Sequence, residues 1–141
     1  MKSLTPRIRF PSWHRPLALE AARQGITLLT NVNRTLPLGL AEKHVLVVGS
    51  LADDEESTVG DYTNGGAEVV TVWAAVQAAC AKVAGCTCEY SAGASPASFD
   101  THEIAAAVAK VAAADVVVAE GADGPSGGRG LVHTMFTRVP Q

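Results

Sequence analysis

Residues 44–49 read His-Val-Leu-Val-Val-Gly, and the fold turns on how this run is understood. It is apolar at successive positions, not alternate ones, which is the pattern of a strand covered on both faces in a parallel sheet. Downstream, Thr71 stands ahead of Val72, Val76, Ala79, Cys80 and Val83, which recur at helical spacing, with Gly85 placed to end that helix. Thr87 to Ser91 reads as the next strand. Asp100, with Glu103 three residues on, is a cap signature for a helix that turns Ile104, Val108 and Val111 inward. Asp115 then leads into the strand Val116-Val117-Val118-Ala119.

Upstream, Pro16 opens a helix striped by Leu17, Ala18, Ala21 and Ala22, with Gly25 as a left-handed stop. Ile26-Thr27-Leu28-Leu29 reads as a short strand closed by Asn31 and Asn33, and Ser50 to Gly66 as a long polar loop. Helices alternating with apolar strands predict an α/β fold, a three-layer sandwich around a mostly parallel sheet. Residues 1–13 read as an irregular lead-in. Residues 124–130 form a Gly-rich turn segment, and the last eleven residues carry no usable period.

A chain of 141 residues fits one domain. With 48% hydrophobic and 18% charged residues it is not a disordered polymer. The net charge of −3 leaves no basic footprint for nucleic acid. No apolar run approaches the roughly 20 residues of a membrane span. The N-terminus is basic without an apolar stretch behind it, so it shows no export signal and the compartment stays open. Cys80, Cys86 and Cys88 are odd in number, too few for a disulfide-built scaffold, and read as small buried or half-buried side chains. No metal or other cofactor is expected.

Three kinds of site were weighed. A dinucleotide cradle needs glycines immediately after the first strand, and only Gly49 stands there. The acidic run Asp53-Asp54-Glu55-Glu56 suggests a receiver-like Mg²⁺ site, but neither Ser91 nor Glu120 supplies the further strand-end Asp such a site requires. Glu120 and Asp123 follow the last apolar strand, where α/β sites gather, although their spacing in sequence does not set their separation. Trp73 reads as core, and Trp13 and Tyr62 as loop aromatics. The residues by themselves describe an α/β domain without a self-contained active site.

The order of segments adds a resemblance. His14-Arg15-Pro16-Leu17-Ala18-Leu19-Glu20-Ala21-Ala22-Arg23, then Ile26-Thr27-Leu28-Leu29-Thr30-Asn31 and Leu36-Pro37-Leu38, resemble the opening of the C-terminal α/β domain of glycoside hydrolase family 3. Val45 to Asp53, Gly60-Asp61-Tyr62, Tyr90-Ser91-Ala92-Gly93 and Ala114 to Val118 are similar to that domain's later segments, in the same order. The likeness leans to the β-xylosidase branch, with β-glucosidases next, and covers residues 14–123.

The resemblance implies an exo-acting, retaining β-glycosidase that takes β-linked oligosaccharides. In it a barrel domain brings the nucleophilic Asp, and the sandwich domain brings the acid/base Glu. Retention asks for carboxylates about 5–5.5 Å apart, here delivered by two lobes. Where the family's acidic motif should follow, the chain reads Gly124-Pro125-Ser126-Gly127-Gly128-Arg129-Gly130, with no Glu ahead of Arg129. Thr30 and Ser50 also replace the family's usual Lys and Pro. The expectation is therefore the first half of such a domain, 14–123, with a divergent tail over 124–141. It should be inactive alone, with Asp53, Tyr62, Glu120 and Asp123 as loop residues facing the barrel that this chain does not contain. The alternatives are a non-catalytic module that binds carbohydrate or a partner, and the receiver-like domain.

Overall fold

The computed structural model describes residues 13–59, 69–94, 101–122 and 132–139. The chain divides into two compact units between Asn33 and Arg34. In the first, α1 spans His14–Gly25, so Pro16 falls in its first turn, where its missing N–H leaves no partner wanting. The expected apolar stripe is present but uncovered, for no residue of α1 is buried. Gly25 does not take the left-handed conformation. The helix instead ends on an extended Ile26, whose N–H donates to the Ala22 carbonyl at 3.2 Å. Residues 26–29 are not a strand, and Leu29 is 90% exposed. β-branched and apolar residues favour a strand only when a neighbour accepts their hydrogen bonds and covers their side chains.

The second unit holds a sheet in the order β2-β1-β3-β4, built from β1 His44–Val48, β2 Thr87–Ser91, β3 Val116–Ala122 and β4 Val132–Arg138. β1 pairs in parallel with β2 (Leu46 against Glu89) and with β3 (Leu46 against Val117). β4 runs antiparallel along β3, with Met135 against Ala119.

The continuous apolar run of β1 now has its cause. Val45 and Val47, with Val116 and Val118, form one core face together with Ala52, and Val72, Trp73 and Val76 pack onto it. Leu46, Val117 and Ala114 form the opposite face, under Val111 and Val139. Val45, Leu46 and Val47 are each at most 1% exposed, and burying such side chains contributes roughly 1.5–3 kcal/mol apiece. The helices that supply the covering residues, α3 Val72–Cys80 and α4 Ile104–Val111, make the outer layers of the sandwich.

Several local expectations are corrected. The segment after β1 is not a loop throughout: Ser50–Asp53 is a 3-10 turn and Glu55–Val59 a short helix, α2. The Asp54 carboxylate accepts the Glu56 N–H at 2.9 Å there, so one residue of the acidic run caps a helix. Thr71 caps α3 as expected, accepting from the Ala74 N–H at 3.1 Å, but the helix stops at Cys80 and Gly85 makes the left-handed turn only later. Glu103 is itself the N-cap of α4 and makes no side-chain cap bond, while Asp100 lies outside the described residues. β4 forms where no period was expected, because an edge strand need not present the sustained apolar alternation of a covered one. Cys80 and Cys86 are not free. They form a disulfide that ties the end of α3 to the entry of β2, and Cys88 remains a thiol.

At the N-terminal edge of the sheet, charges are matched. Lys43 Nζ lies 3.1 Å from Asp115 Oδ1, and the His44 N–H donates to Asp115 Oδ2 at 2.8 Å. These partners, the His44 N–H first and the Lys43 ammonium next, hold the Asp115 carboxyl below its ordinary value. Lys110 Nζ sits 2.6 Å from Glu89 Oε1 and lowers that carboxyl in the same way.

Candidate functional site

At the C-terminal edge the sheet is built differently. β1 ends in Gly49, whose backbone lies so close to β3 that a Cβ built there would sit 1.9 Å from the Glu120 carbonyl oxygen. Gly49 holds φ at +119°, a conformation open chiefly to glycine. Its N–H donates to the Ser91 carbonyl at 3.1 Å, and its carbonyl accepts the Tyr90 hydroxyl at 3.2 Å. One residue thereby locks together the ends of β1, β2 and β3.

Around this knot stand the polar side chains. Asp53, in the turn after β1, accepts the Thr71 hydroxyl at 3.0 Å, which joins the acid to the N-terminus of α3. Trp73, in the first turn of α3, stacks on Tyr90 with ring centroids 5.8 Å apart and planes at 28°. The Tyr90 hydroxyl is pushed above its ordinary value by burial first, and then by the charges of Asp53, Glu103, Asp54 and Glu120. Glu120 is half-buried, and burial raises its carboxyl as well. Its Oε2 atom is buried with no hydrogen-bond partner among the described residues.

The chemistry available follows from these environments. A carboxyl that loses hydration keeps its proton to higher pH and so serves better as a donor or general acid. Tyr90 remains a neutral phenol beside it. Among the described residues no three His, Cys, Asp or Glu side chains gather closely enough to hold a metal ion.

Of the residues singled out in the sequence, Asp53 and Glu120 fall on this one edge, close enough for both to act on the Tyr90 hydroxyl. Tyr62, Asp123 and the segment Gly127–Arg129 lie outside the described residues. Trp73 packs against the core, as expected. Tyr90 was not foreseen as part of the site. Its signal was its place next to last in a strand of a parallel sheet, at the edge where such folds bind ligands.

Comparison with known proteins places this arrangement. The family described as Glycosyl hydrolase family 3 C-terminal domain matches residues 26–127. Beta-D-xylosidase 1 of Arabidopsis thaliana is 44% identical over 61 residues, which are 43% of this chain and 8% of that protein. Probable beta-D-xylosidase 6 of the same plant is 47% identical over 53 residues, 36% of this chain and 6% of that protein. The aligned part is thus a small fraction of the length of either relative.

Proposed function

The chain belongs to the glycosyl hydrolase family 3 C-terminal domain family, and from that premise we propose that its 141 residues contribute the sandwich side of a retaining β-xylosidase-like site without hydrolysing glycosides on their own. The observation that carries this reading is the C-terminal sheet edge, where the half-buried Glu120 carboxyl of β3 and Asp53 after β1 both act on the Tyr90 hydroxyl of β2. The names of the two relatives favour a β-linked xylosyl substrate for the complete protein.

The inactivity of the separate chain follows from the chemistry. Retention needs a nucleophile and an acid/base held about 5–5.5 Å apart. Acid/base assistance alone is worth about 10²–10⁴-fold, and without a nucleophile the covalent route closes too. The purified chain should therefore release no chromophore from an aryl β-xyloside or aryl β-glucoside above a heat-killed control. Turnover that disappears in Glu120→Gln or Asp123→Asn would refute the proposal. Heat of binding to xylooligosaccharides without turnover would favour the non-catalytic carbohydrate module.

A further inference from the structure

We propose that Asn33 is an acceptor for an N-linked glycan. Residues 33–35 read Asn-Arg-Thr, an Asn followed two residues later by a hydroxyl, with a residue other than Pro between them. That is the pattern N-linked glycosylation requires. Asn31 and Asn64 are followed at the same distance by Asn33 and Gly66, so neither has the hydroxyl. One position in the chain qualifies.

Chance also produces such a tripeptide, and the fold supplies two further observations. The first is local. Asn33 and Arg34 are exposed, and the 3-10 turn Val32–Arg34 that holds them bends through the left-handed region, with Asn33 at φ 55° and ψ 23° and Arg34 at φ 53°. Left-handed residues continue neither a helix nor a strand, and an exposed Asn33 leaves room for a bulky, hydrophilic substituent on its amide. The left-handed geometry suits an Asn at 33, but it does not select a hydroxyl at 35; the acceptor pattern requires both.

The second observation comes from the other compact unit, where Cys80 and Cys86 are joined by a disulfide. Disulfides form and persist in oxidising compartments, the lumen of the endoplasmic reticulum among them, and N-linked glycans are attached in that lumen. Bond chemistry and acceptor pattern thus point to one compartment from two separate parts of the chain.

The donor such a site takes is a lipid-linked oligosaccharyl diphosphate. The Asn33 Nδ2 atom forms the bond to the anomeric carbon of the first sugar. The bond from that carbon to the diphosphate oxygen breaks with its electron pair, the lipid diphosphate leaves, and the amide gives up one proton. Transfer acts on the chain before folding is complete, so the finished fold has only to accommodate the product. None of this depends on the glycosidase reading, and its readout involves no glycoside turnover.

The full 141-residue chain, translated behind a cleavable signal peptide in the presence of endoplasmic-reticulum microsomes, tests the proposal. The protease-protected product should run as one discrete heavier species. Digestion with a peptide N-glycosidase should return it to the lighter position and convert the acceptor to Asp, which peptide mass spectrometry should locate at 33 and not at 31. Asn33→Gln and Thr35→Ala should each abolish the heavier species, whereas Thr35→Ser keeps the hydroxyl and should retain it. Asn31→Gln should leave it unchanged. Because attachment precedes folding, these variants are read whether or not they fold. A protected chain without the heavier species, or a heavier species that persists in Asn33→Gln or Thr35→Ala, would overturn the proposal.

Discussion

Replacing Gly49 by alanine tests the knot at the C-terminal sheet edge. Alanine there meets two separate penalties. The first is conformational: φ of +119° with ψ of 133° is not a well an L-residue occupies, and holding a side chain there costs about 1–3 kcal/mol. The second is steric: the new methyl falls 1.9 Å from the Glu120 carbonyl oxygen, a backbone atom fixed in β3 that cannot swing aside as a long side chain would. Forced overpacking of this sort costs about 1–3 kcal/mol more. The sum, about 2–6 kcal/mol, is a large share of the roughly 5–15 kcal/mol that stabilises a typical domain. Urea unfolding of Gly49→Ala followed by circular dichroism should show that loss, and the near-ultraviolet signal of the Trp73–Tyr90 pair should change because Tyr90 hydrogen-bonds to the Gly49 carbonyl. Gly39→Ala is the control, since nothing lies within 4 Å of its Cβ position, and its effect should stay within about 1 kcal/mol. Equal stability of the two variants would refute the close packing of β1 on β3.

Thiol titration of the denatured, unreduced chain should find one free thiol, Cys88, and three after reduction. The Cys80–Cys86 bond closes a loop of only a few residues, so by loop-closure entropy its reduction should lower stability by about 2 kcal/mol, read as a lower urea midpoint. Asp115 is held below the ordinary value of 3.8, so its stabilising contribution is complete above that value and fades as pH falls through the lowered one. Asp115→Asn should therefore flatten the acid limb of a stability-against-pH curve, and an unchanged limb would count against the His44 and Lys43 contacts. Glu120 is raised above 4.5, the opposite sign. Its contribution is present at acid pH and is lost as pH rises through the raised value, so Glu120→Gln should gain on the wild type as pH rises from 4.5 through that value.

The sequence showed those elements whose cause is local or whose pattern demands burial. Two apolar runs became β1 and β3, because successive valines are favoured where helices cover both faces, and the expected strand Thr87 to Ser91 became β2. Thr71 was legible as a cap because its hydroxyl acts on an N–H three residues away. Residues 26–29 misled because their composition suits a strand while pairing depends on a partner that composition does not supply. β4 was missed for the converse reason: it is an edge, paired on one side, and Val-His-Thr-Met-Phe-Thr-Arg lacks a continuous apolar face. The Cys80–Cys86 bond was illegible because three cysteines permit several pairings, and only the turn between α3 and β2 brings this pair together. At the C-terminal edge, Asp53 stands after a parallel strand as read, Glu120 was read as a loop residue but lies inside β3, which runs to Ala122, and Tyr90 needed the register that carries its hydroxyl to Gly49.

The two edges of the sheet differ in how they handle charge, and the difference bears on function. Asp115 at the N-terminal edge and Glu89 in the middle of β2 each meet a lysine within 3.1 Å, and both carboxyls are driven toward the ionised form. At the C-terminal edge Asp53, Glu103, Asp54 and Glu120 all act on one phenol in the same sense, and Glu120 is pushed toward its protonated form. A fold seeking only stability would pair or remove Glu120, since a buried carboxyl oxygen left unsatisfied costs about 1–3 kcal/mol. The glycine that brings Glu120 against β1 makes this arrangement a consequence of the backbone and not of a freely rotating surface side chain. Among the acids of this edge it is Glu120 that the backbone holds half-buried and pushed toward its protonated form, the state in which a carboxyl can donate a hydrogen bond to an outside group.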